Sequence, residues 1–254
     1  MKAPVRPLCL YEDPMIPEGQ HLQIGSLLFE ELDQIDVTGP FEVLSRVPNA
    51  TLRLYGLSAA PVRDVKGLRL TPDAVLADAP QLDVLHIPGG PGQEALMTDE
   101  TVLGWVRRQA DGARIVFSVC TGALICGAAG LLKGRRATTY WAALHLLPYF
   151  GATPVEDRVV VDGNLVCAAG VTSGIDGALR VAALLRGDKA AEAIQLYMQY
   201  APEPPFNAGT PETAPPDIVA TVRGAAAEIM ARRQTTAIAT AKRLGVVLDP
   251  GVDG

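Results

Sequence analysis

Residues 114–125, which read RIVFSVCTGALI, carry the pattern that decides the fold. The apolar run that ends at Val119 is typical of a buried strand, and the small residues from Gly122 onward favour a helix. A strand-to-helix turn of this kind is a nucleophile elbow, in which the chain doubles back closely and lifts one side chain clear of the sheet. The pattern therefore predicts an exposed cysteine nucleophile, Cys120.

The position of Cys120 also predicts its ionisation. The positive end of the following helix favours the thiolate and should lower the pKa of the sulfur. A buried structural cysteine at the end of a core strand is the alternative, because free cysteines are among the most buried residues. Agreement between the strand pattern, the turn and the glycine favours the elbow.

Apolar runs alternate with amphipathic stretches along the chain, which predicts an α/β fold with a mostly parallel sheet and helices on both faces. Strands are expected at 22–29, 52–57, 83–88 and 114–118, with a hairpin that joins 158–161 to 165–167. Helices are expected from Pro40 towards Val47, because proline is favoured at a first helical position, and at 99–110, 139–150, 175–185 and 190–200.

The two ends of the chain differ from this core. Residues 1–20 lack the apolar core of a signal peptide, so we expect a flexible extension before an α/β domain over 21–200. Residues 201–216 contain six prolines and should form a proline-rich arm. Residues 217–254 are then a helical tail of one long helix or two short ones, and not a second enzyme domain.

Composition excludes several classes of protein. The 254 residues are 48% hydrophobic, enough for one large α/β domain, and no apolar run is long enough to cross a bilayer. A net charge of −6 argues against a nucleic-acid partner. The basic pairs are expected to lie on solvated faces; they are Arg107-Arg108, Arg135-Arg136 and Arg232-Arg233.

The cysteines have no spacing typical of a structural framework. Cys9, Cys120, Cys126 and Cys167 form neither a CxxC pair nor a zinc-ligand pattern. A reducing cytoplasm fits such free thiols best, and we expect no metal site.

Two further groups are expected near Cys120, because open parallel sheets bind ligands at the carboxyl ends of their strands. The first is the turn 88–92, PGGPG, whose N–H groups at Gly89 and Gly90 are candidate oxyanion donors together with the amide of Thr121. A merely flexible turn is the alternative reading of these glycines.

The second group is Asp36, between the first strand and the first helix. A helix cap is the alternative for such an aspartate, but a helix that begins at Pro40 leaves Asp36 outside the capping position. A carboxyl beside a thiolate keeps its proton, because two anions in one pocket repel each other. Asp36 is therefore a candidate general acid and, afterwards, general base.

The ordered motifs resemble those of the DJ-1/PfpI superfamily, and within it the chain is most similar to isonitrile hydratases. The motifs are QIGSLLF from Gln23, DVTGP from Asp36, IPGG from Ile87, SVCTG from Ser118 and RATT from Arg136, with PFNAG from Pro205 extending the resemblance.

This resemblance implies a flavodoxin-like three-layer sandwich that forms a homodimer, without a metal or an organic cofactor. It also implies a small-molecule isonitrile substrate: Cys120 attacks its carbon while Asp36 supplies a proton, giving a covalent thioimidate that water converts to an N-substituted formamide. Thr121 would take part through its amide and hydroxyl, and Val171 would form an apolar wall.

Two residues depart from the superfamily pattern. Thr121 stands where PfpI-type proteases have a histidine after the nucleophile, which argues against protease activity, and Tyr140 replaces a histidine that close relatives often carry. The three histidines, His21, His86 and His145, are expected to be structural or exposed. The alternatives left open are another cysteine-dependent hydrolase or hydratase, a DJ-1-like oxidation sensor, and an AraC-type regulatory domain without its DNA-binding module.

Overall fold

A computed structural model of the protein describes residues 16–248, in which eleven strands are present. In chain order they are β1 (Leu22–Leu28), β2 (Ala50–Gly56), β3 (Val62–Arg63), β4 (Arg69–Leu70), β5 (Ala74–Val75), β6 (Val84–Ile87), β7 (Ile115–Val119), β8 (Arg136–Ala137), β9 (Thr153–Pro154), β10 (Val159–Asp162) and β11 (Leu165–Ala168). Seven of them form the central sheet, in the order β10-β11-β7-β6-β1-β2-β5.

All neighbouring strands of the central sheet are parallel except β10 and β11, which form the predicted antiparallel hairpin. The parallel strands are buried along most of their length, as their continuous apolar sequences predict. Because β1, β6, β7 and β11 are adjacent and parallel, their carboxyl ends meet at one edge of the sheet.

Helices cover both faces of this sheet. They are α1 (Gln34–Leu44), α2 (Gln93–Leu96), α3 (Glu100–Gly112), α4 (Gly122–Ala128), α5 (Ser173–Arg186), α6 (Asp188–Tyr197) and α7 (Pro216–Leu244), with 3₁₀ helices at Leu76–Asp78 and Trp141–Phe150. One core packs α1, α5 and α6 against the sheet, and the other packs α3, α4 and α7 against it. The predicted fold class is confirmed.

The first helix begins earlier than predicted. Asp33 is its N-cap, with Oδ1 accepting from the N–H of Ile35 at 3.1 Å, so Asp36 lies inside the first turn and Pro40 lies inside the helix. The prediction gave Pro40 the favoured first position and overlooked the aspartate cap. Helix α1 packs closely against α5 at Gly174. A Cβ added to Gly174 would lie only 3.2 Å from the Pro40 ring, so the glycine permits this close contact.

Two other predicted segments differ in detail. The segment expected to be an α-helix at 139–150 is a 3₁₀ helix, which contains Pro148 and ends at Gly151 with a left-handed φ of 73°. Proline removes one backbone donor, which weakens an α-helical ladder at this point. The part of the tail that the structure describes contains one continuous helix, α7, which begins at Pro216, a favoured position for proline, and ends at Leu244.

Only the last part of the predicted N-terminal extension belongs to the described residues. Ile16 is fully buried, and the guanidinium of Arg186 donates to the carbonyls of Ile16, Pro17 and Gln20. Residues 16–20 therefore pack against the α/β domain, while residues 1–15 lie outside the described range. Between residues 16 and 248, no helix combines the length and the apolar character that a membrane span requires.

Candidate active site

Cys120 lies on the predicted elbow between β7 and α4 with a positive φ of 55°. Such a conformation is strained for a residue with a side chain and persists only when its surroundings hold it. Here the N–H of Cys120 donates to the carbonyl of Ala168 at 2.9 Å, and the Thr139 hydroxyl donates to the carbonyl of Cys120 at 2.7 Å. Gly122 is required beside it, because a Cβ there would collide with the Ile87 carbonyl.

The sulfur is more enclosed than the sequence predicts. Cys120 is 6% exposed, and burial raises the pKa of its thiol well above the usual value, with the charge of Asp36 adding to the effect. The backbone N–H groups of Thr121 and Val171 lie near the sulfur and act in the opposite direction, lowering this pKa. The expectation of an exposed cysteine with a lowered pKa is therefore wrong, because burial disfavours the charged thiolate.

Asp36 lies beside this thiol and has no exposed surface. Its Oδ2 accepts from the N–H of Gly89 at 2.9 Å, and Oδ1 has no partner that meets hydrogen-bond geometry among the described residues. Burial, followed by the charge of Asp33, raises the pKa of Asp36 to about 8, and the Gly89 N–H and the Cys120 thiol offset only part of this. A carboxyl in this position keeps its proton at neutral pH.

The turn after β6 contacts both groups. A Cβ on Gly89 would lie 2.6 Å from the Thr121 nitrogen and 2.9 Å from Asp36 Oδ2, so only glycine fits here. The N–H of Gly90 donates to Thr121 Oγ1 at 3.2 Å. The amides of Gly89 and Gly90 therefore already have partners, and they position Asp36 and Thr121. These two amides are not the free oxyanion donors that the sequence predicts.

Val171 and Tyr140 also lie near the thiol. Val171 has a φ of 24°, unusual for a β-branched residue, and contributes its N–H to the Cys120 sulfur besides the apolar side chain that the sequence suggested. Tyr140 is half-buried, and a Cβ on Gly170 would lie 3.3 Å from its ring. Burial raises the pKa of the Tyr140 phenol.

One residue near the site was missed. Arg233 extends from α7 to the turn after β6, where its Nη2 donates to the Gly90 carbonyl at 2.8 Å. The basic pair that contains it was expected on a solvated face, which holds for Arg232 but not for Arg233, which is 5% exposed. The helical spacing of Arg233 with the buried Ala237 and Ala241 was the available signal.

None of the three histidines hydrogen-bonds to Cys120, Asp36 or Thr121 in the described structure, and His145 is exposed. His21 bonds the side chains of Asn49 and Thr51, and His86 is buried with its Nδ1 2.8 Å from the Ser26 hydroxyl. Burial lowers the pKa of His86 to about 3, so it stays neutral. Within residues 16–248 no three His, Cys, Asp or Glu side chains cluster as metal ligands do.

Comparisons with known proteins match this architecture. A profile of the DJ-1/PfpI family matches residues 23–184. An isonitrile hydratase from Pseudomonas putida is 49% identical over 222 residues, which cover 87% of this chain and 97% of that protein. The HTH-type transcriptional regulator GbdR from Pseudomonas aeruginosa is 28% identical over 199 residues, which cover 75% of this chain and 54% of that regulator.

A solved structure agrees over nearly the whole chain. The crystal structure of a ThiJ/PfpI family protein from Pseudomonas syringae superposes with a TM-score of 0.84 at 35% sequence identity, covering 93% of this chain and 97% of that one. The region matched by the family profile contains the elbow, the aspartate of α1 and the glycine turn after β6. The protein thus belongs to the DJ-1/PfpI family.

Proposed function

We propose that this protein is an isonitrile hydratase, which adds water to an isonitrile and releases an N-substituted formamide. The observation that carries the proposal is the pairing of Cys120 with Asp36, whose pKa is raised to about 8, in a chain 49% identical to an isonitrile hydratase. An isonitrile carbon needs a nucleophile and a proton together, and this pair supplies both.

In the first step the S–H group of Cys120 adds to the terminal carbon of the isonitrile. Asp36 gives its proton to that carbon while the carbon–sulfur bond forms, and the resulting carboxylate takes the proton of the thiol. The product is a thioimidate, R–N=CH–S–Cys120, and Asp36 is protonated again. The nearby backbone N–H groups of Thr121 and Val171, which lower the pKa of Cys120, stabilise the negative charge that the sulfur carries during the exchange.

In the second step water adds to the thioimidate carbon. Asp36 gives its proton to the imidate nitrogen and takes one from the attacking water, so an amino-thiohemiacetal forms. Its hydroxyl proton then passes to the departing sulfur as the carbon–sulfur bond breaks, which releases R–NH–CHO and restores the thiol. Each step uses Asp36 as a proton shuttle, which suits a carboxyl whose pKa lies near neutrality.

An absorbance assay of formamide formation from an aryl isonitrile tests this proposal. We expect turnover in the wild type, none in Cys120→Ala, and a covalent adduct on Cys120 detected by mass spectrometry. Cys126→Ala is the matched control, because it removes another buried thiol but leaves the site intact. Wild-type turnover in Cys120→Ala would remove the proposed nucleophile.

The alternatives have weaker support. A DJ-1-like oxidation sensor needs an accessible thiolate, whereas burial raises the pKa of Cys120 and leaves it 6% exposed. The regulator GbdR is almost twice as long as the stretch it shares with this chain, and the described C-terminal segment is one continuous helix and not a helix-turn-helix. Sequence-specific DNA binding without isonitrile turnover would favour the regulator.

We also propose that the protein acts as a homodimer in the cytoplasm, without a nucleic-acid partner. Large apolar side chains stand exposed at the end of α6 and in the arm that follows it, with Leu196 82% and Phe206 79% accessible. Such side chains favour an interface between protein chains. A reducing compartment would keep Cys120 as the free thiol that the reaction requires.

A further inference from the structure

Arg233 carries a buried charge near the site but has no role in the proton transfers proposed above. Its side chain lies in the interior, although α7 is otherwise largely exposed and lies outside the stretch matched by the family profile. Among residues 16–248, no carboxylate forms an ion pair with Arg233. A buried charge without a counterion is costly, so its presence calls for an anion that forms nearby.

The guanidinium is held by neutral acceptors. Nε donates to Gln93 Oε1 at 3.0 Å, and Nη2 donates to the carbonyl of Gly90 at 2.8 Å and lies 3.4 Å from Thr121 Oγ1. These bonds fix the orientation of the guanidinium, but none of them is an ion pair. The charge therefore acts on the nearest group that becomes negative.

The same bonds hold the turn that positions the reacting groups. Gly90, whose carbonyl accepts from Arg233, also donates its N–H to Thr121 Oγ1, and the N–H of the neighbouring Gly89 donates to Asp36. A second bond, from the N–H of Asp33 to the carbonyl of Gly89 at 3.0 Å, fixes this turn to α1. Arg233 thus anchors the side of the turn that α1 does not reach.

The charged groups around Cys120 are mostly acidic. Asp36 faces it from α1, and the charge of the N-cap residue Asp33 acts on Asp36. The Tyr140 phenol lies near it, just before the 3₁₀ helix. Arg233 is the cation that opposes the rise in the Cys120 pKa; the other charged groups near Arg233 are Glu94 and Arg232. Removing its charge should therefore make the thiolate harder to form.

We propose that Arg233 is a positioning residue of the reaction: it fixes the turn 88–92 against Asp36 and Thr121, and its charge compensates the anion that forms at Cys120. This inference rests on the proposed function for its role in turnover. Its electrostatic part is measurable on the thiol alone.

The experiment compares Arg233→Gln, Arg233→Lys and Gln93→Glu with the wild type. Gln93→Glu is nearly isosteric and places a carboxylate against the guanidinium, so it neutralises the charge without removing the side chain. Arg232→Gln is the matched control, since it removes an exposed arginine from the adjacent position of α7. The readouts are the pH dependence of Cys120 alkylation by iodoacetamide, followed on the Cys120 peptide, and kcat and KM with an aryl isonitrile.

We expect Arg233→Gln to shift the alkylation profile to higher pH and to lower kcat by roughly 10- to 100-fold, with KM changed by less than about 3-fold. Gln93→Glu should shift the profile in the same direction. Arg233→Lys should keep the wild-type profile, because it keeps the charge, but lose about 3- to 10-fold in kcat, because it lacks the fork of donors. Arg232→Gln should match the wild type in both readouts.

A wild-type alkylation profile and wild-type kcat in folded Arg233→Gln would overturn the proposal. If Arg233→Gln does not unfold cooperatively, Gln93→Glu replaces it, and a wild-type alkylation profile with wild-type kcat in that variant would overturn the proposal. Absence of isonitrile turnover in the wild type would refute the proposed function, and the alkylation profiles would still test Arg233. If the wild type turns over the isonitrile and the variants match it in alkylation profile and kcat, only the inference about Arg233 is refuted and the proposed function stands.

Discussion

At the scale of single residues, the site pairs two acids whose surroundings favour their neutral forms. Burial is the largest cause of the raised pKa of both Cys120 and Asp36. At neutral pH the resting pair therefore holds two protons, and the nucleophile forms only as the substrate receives one of them. This order of events differs from a preformed thiolate beside a general acid, and pH distinguishes the two.

We expect kcat to fall as the pH rises through about 8, because Asp36 loses the proton that it must donate. Below that pH the carboxyl stays protonated, so the rate should level off towards pH 6. The measurement is kcat for an aryl isonitrile across this range at saturating substrate. A rate that keeps rising above pH 8 would indicate that thiolate formation, and not the carboxyl, limits the reaction.

The same carboxyl should make the stability of the fold depend on pH. The pKa of Asp36 is about 8 in the folded protein and 3.8 when unperturbed, so its contribution to stability is present below pH 3.8 and is lost as the pH rises through 8. Asp36→Asn removes this loss and should raise the free energy of unfolding at pH 8 by at least about 1 kcal/mol.

Denaturant unfolding at about pH 5 and pH 8 measures this effect. Glu42→Gln, on the exposed side of α1, is the control and should leave the difference between the two pH values unchanged. If Asp36→Asn and the wild type have equal free energies of unfolding at pH 8, the buried carboxyl does not destabilise the fold at that pH.

At the scale of elements, the elbow depends on a contact from outside the strand and helix that form it. The Thr139 hydroxyl donates to the Cys120 carbonyl at 2.7 Å and so fixes the peptide whose N–H, that of Thr121, faces the sulfur. Thr139→Val keeps the shape of the side chain and removes the bond. We expect a loss of about 1 kcal/mol in stability and roughly 10-fold in kcat.

Thr138→Val is the matched control for this variant, because Thr138 is equally buried but does not bond the Cys120 carbonyl. Thermal unfolding and steady-state kinetics of the two variants give the comparison. If kcat falls by the same factor in Thr139→Val and Thr138→Val, the hydrogen bond to the Cys120 carbonyl does not contribute to the reaction.

The elements also explain which predictions succeeded. The strands were predictable because continuous apolar runs and their bounding turns are local features, and the elbow followed from residues that are adjacent in sequence. The start of α1 was mistaken because two local signals, the cap at Asp33 and the proline at Pro40, pointed to different positions. The burial that reverses the expected pKa shift of Cys120 depends on packing from several elements, which local sequence does not encode.

At the scale of the whole molecule, residues distant in sequence complete the site. Arg233 lies 143 residues after the Gly90 carbonyl that it binds. The segment that carries it was predicted as a helical tail, because helix formation depends on local sequence. The sequence does not indicate which surface of the domain this helix covers. The small side chains of Ala237 and Ala241 pack into the core and bring α7 close enough for Arg233 to reach the turn.

The whole molecule is expected to assemble as a dimer. Exposed apolar side chains at Leu196 and Phe206 favour burial against a second copy, because each leaves water on association. We expect a dimer by size-exclusion chromatography with light scattering, and a double substitution, Leu196→Asp with Phe206→Asp, should weaken it by at least about 10-fold. Val247→Asp is the control, since Val247 is 94% exposed but lies beyond α7. A wild-type monomer at micromolar concentration, or a double variant as dimeric as the control, would rule out this interface.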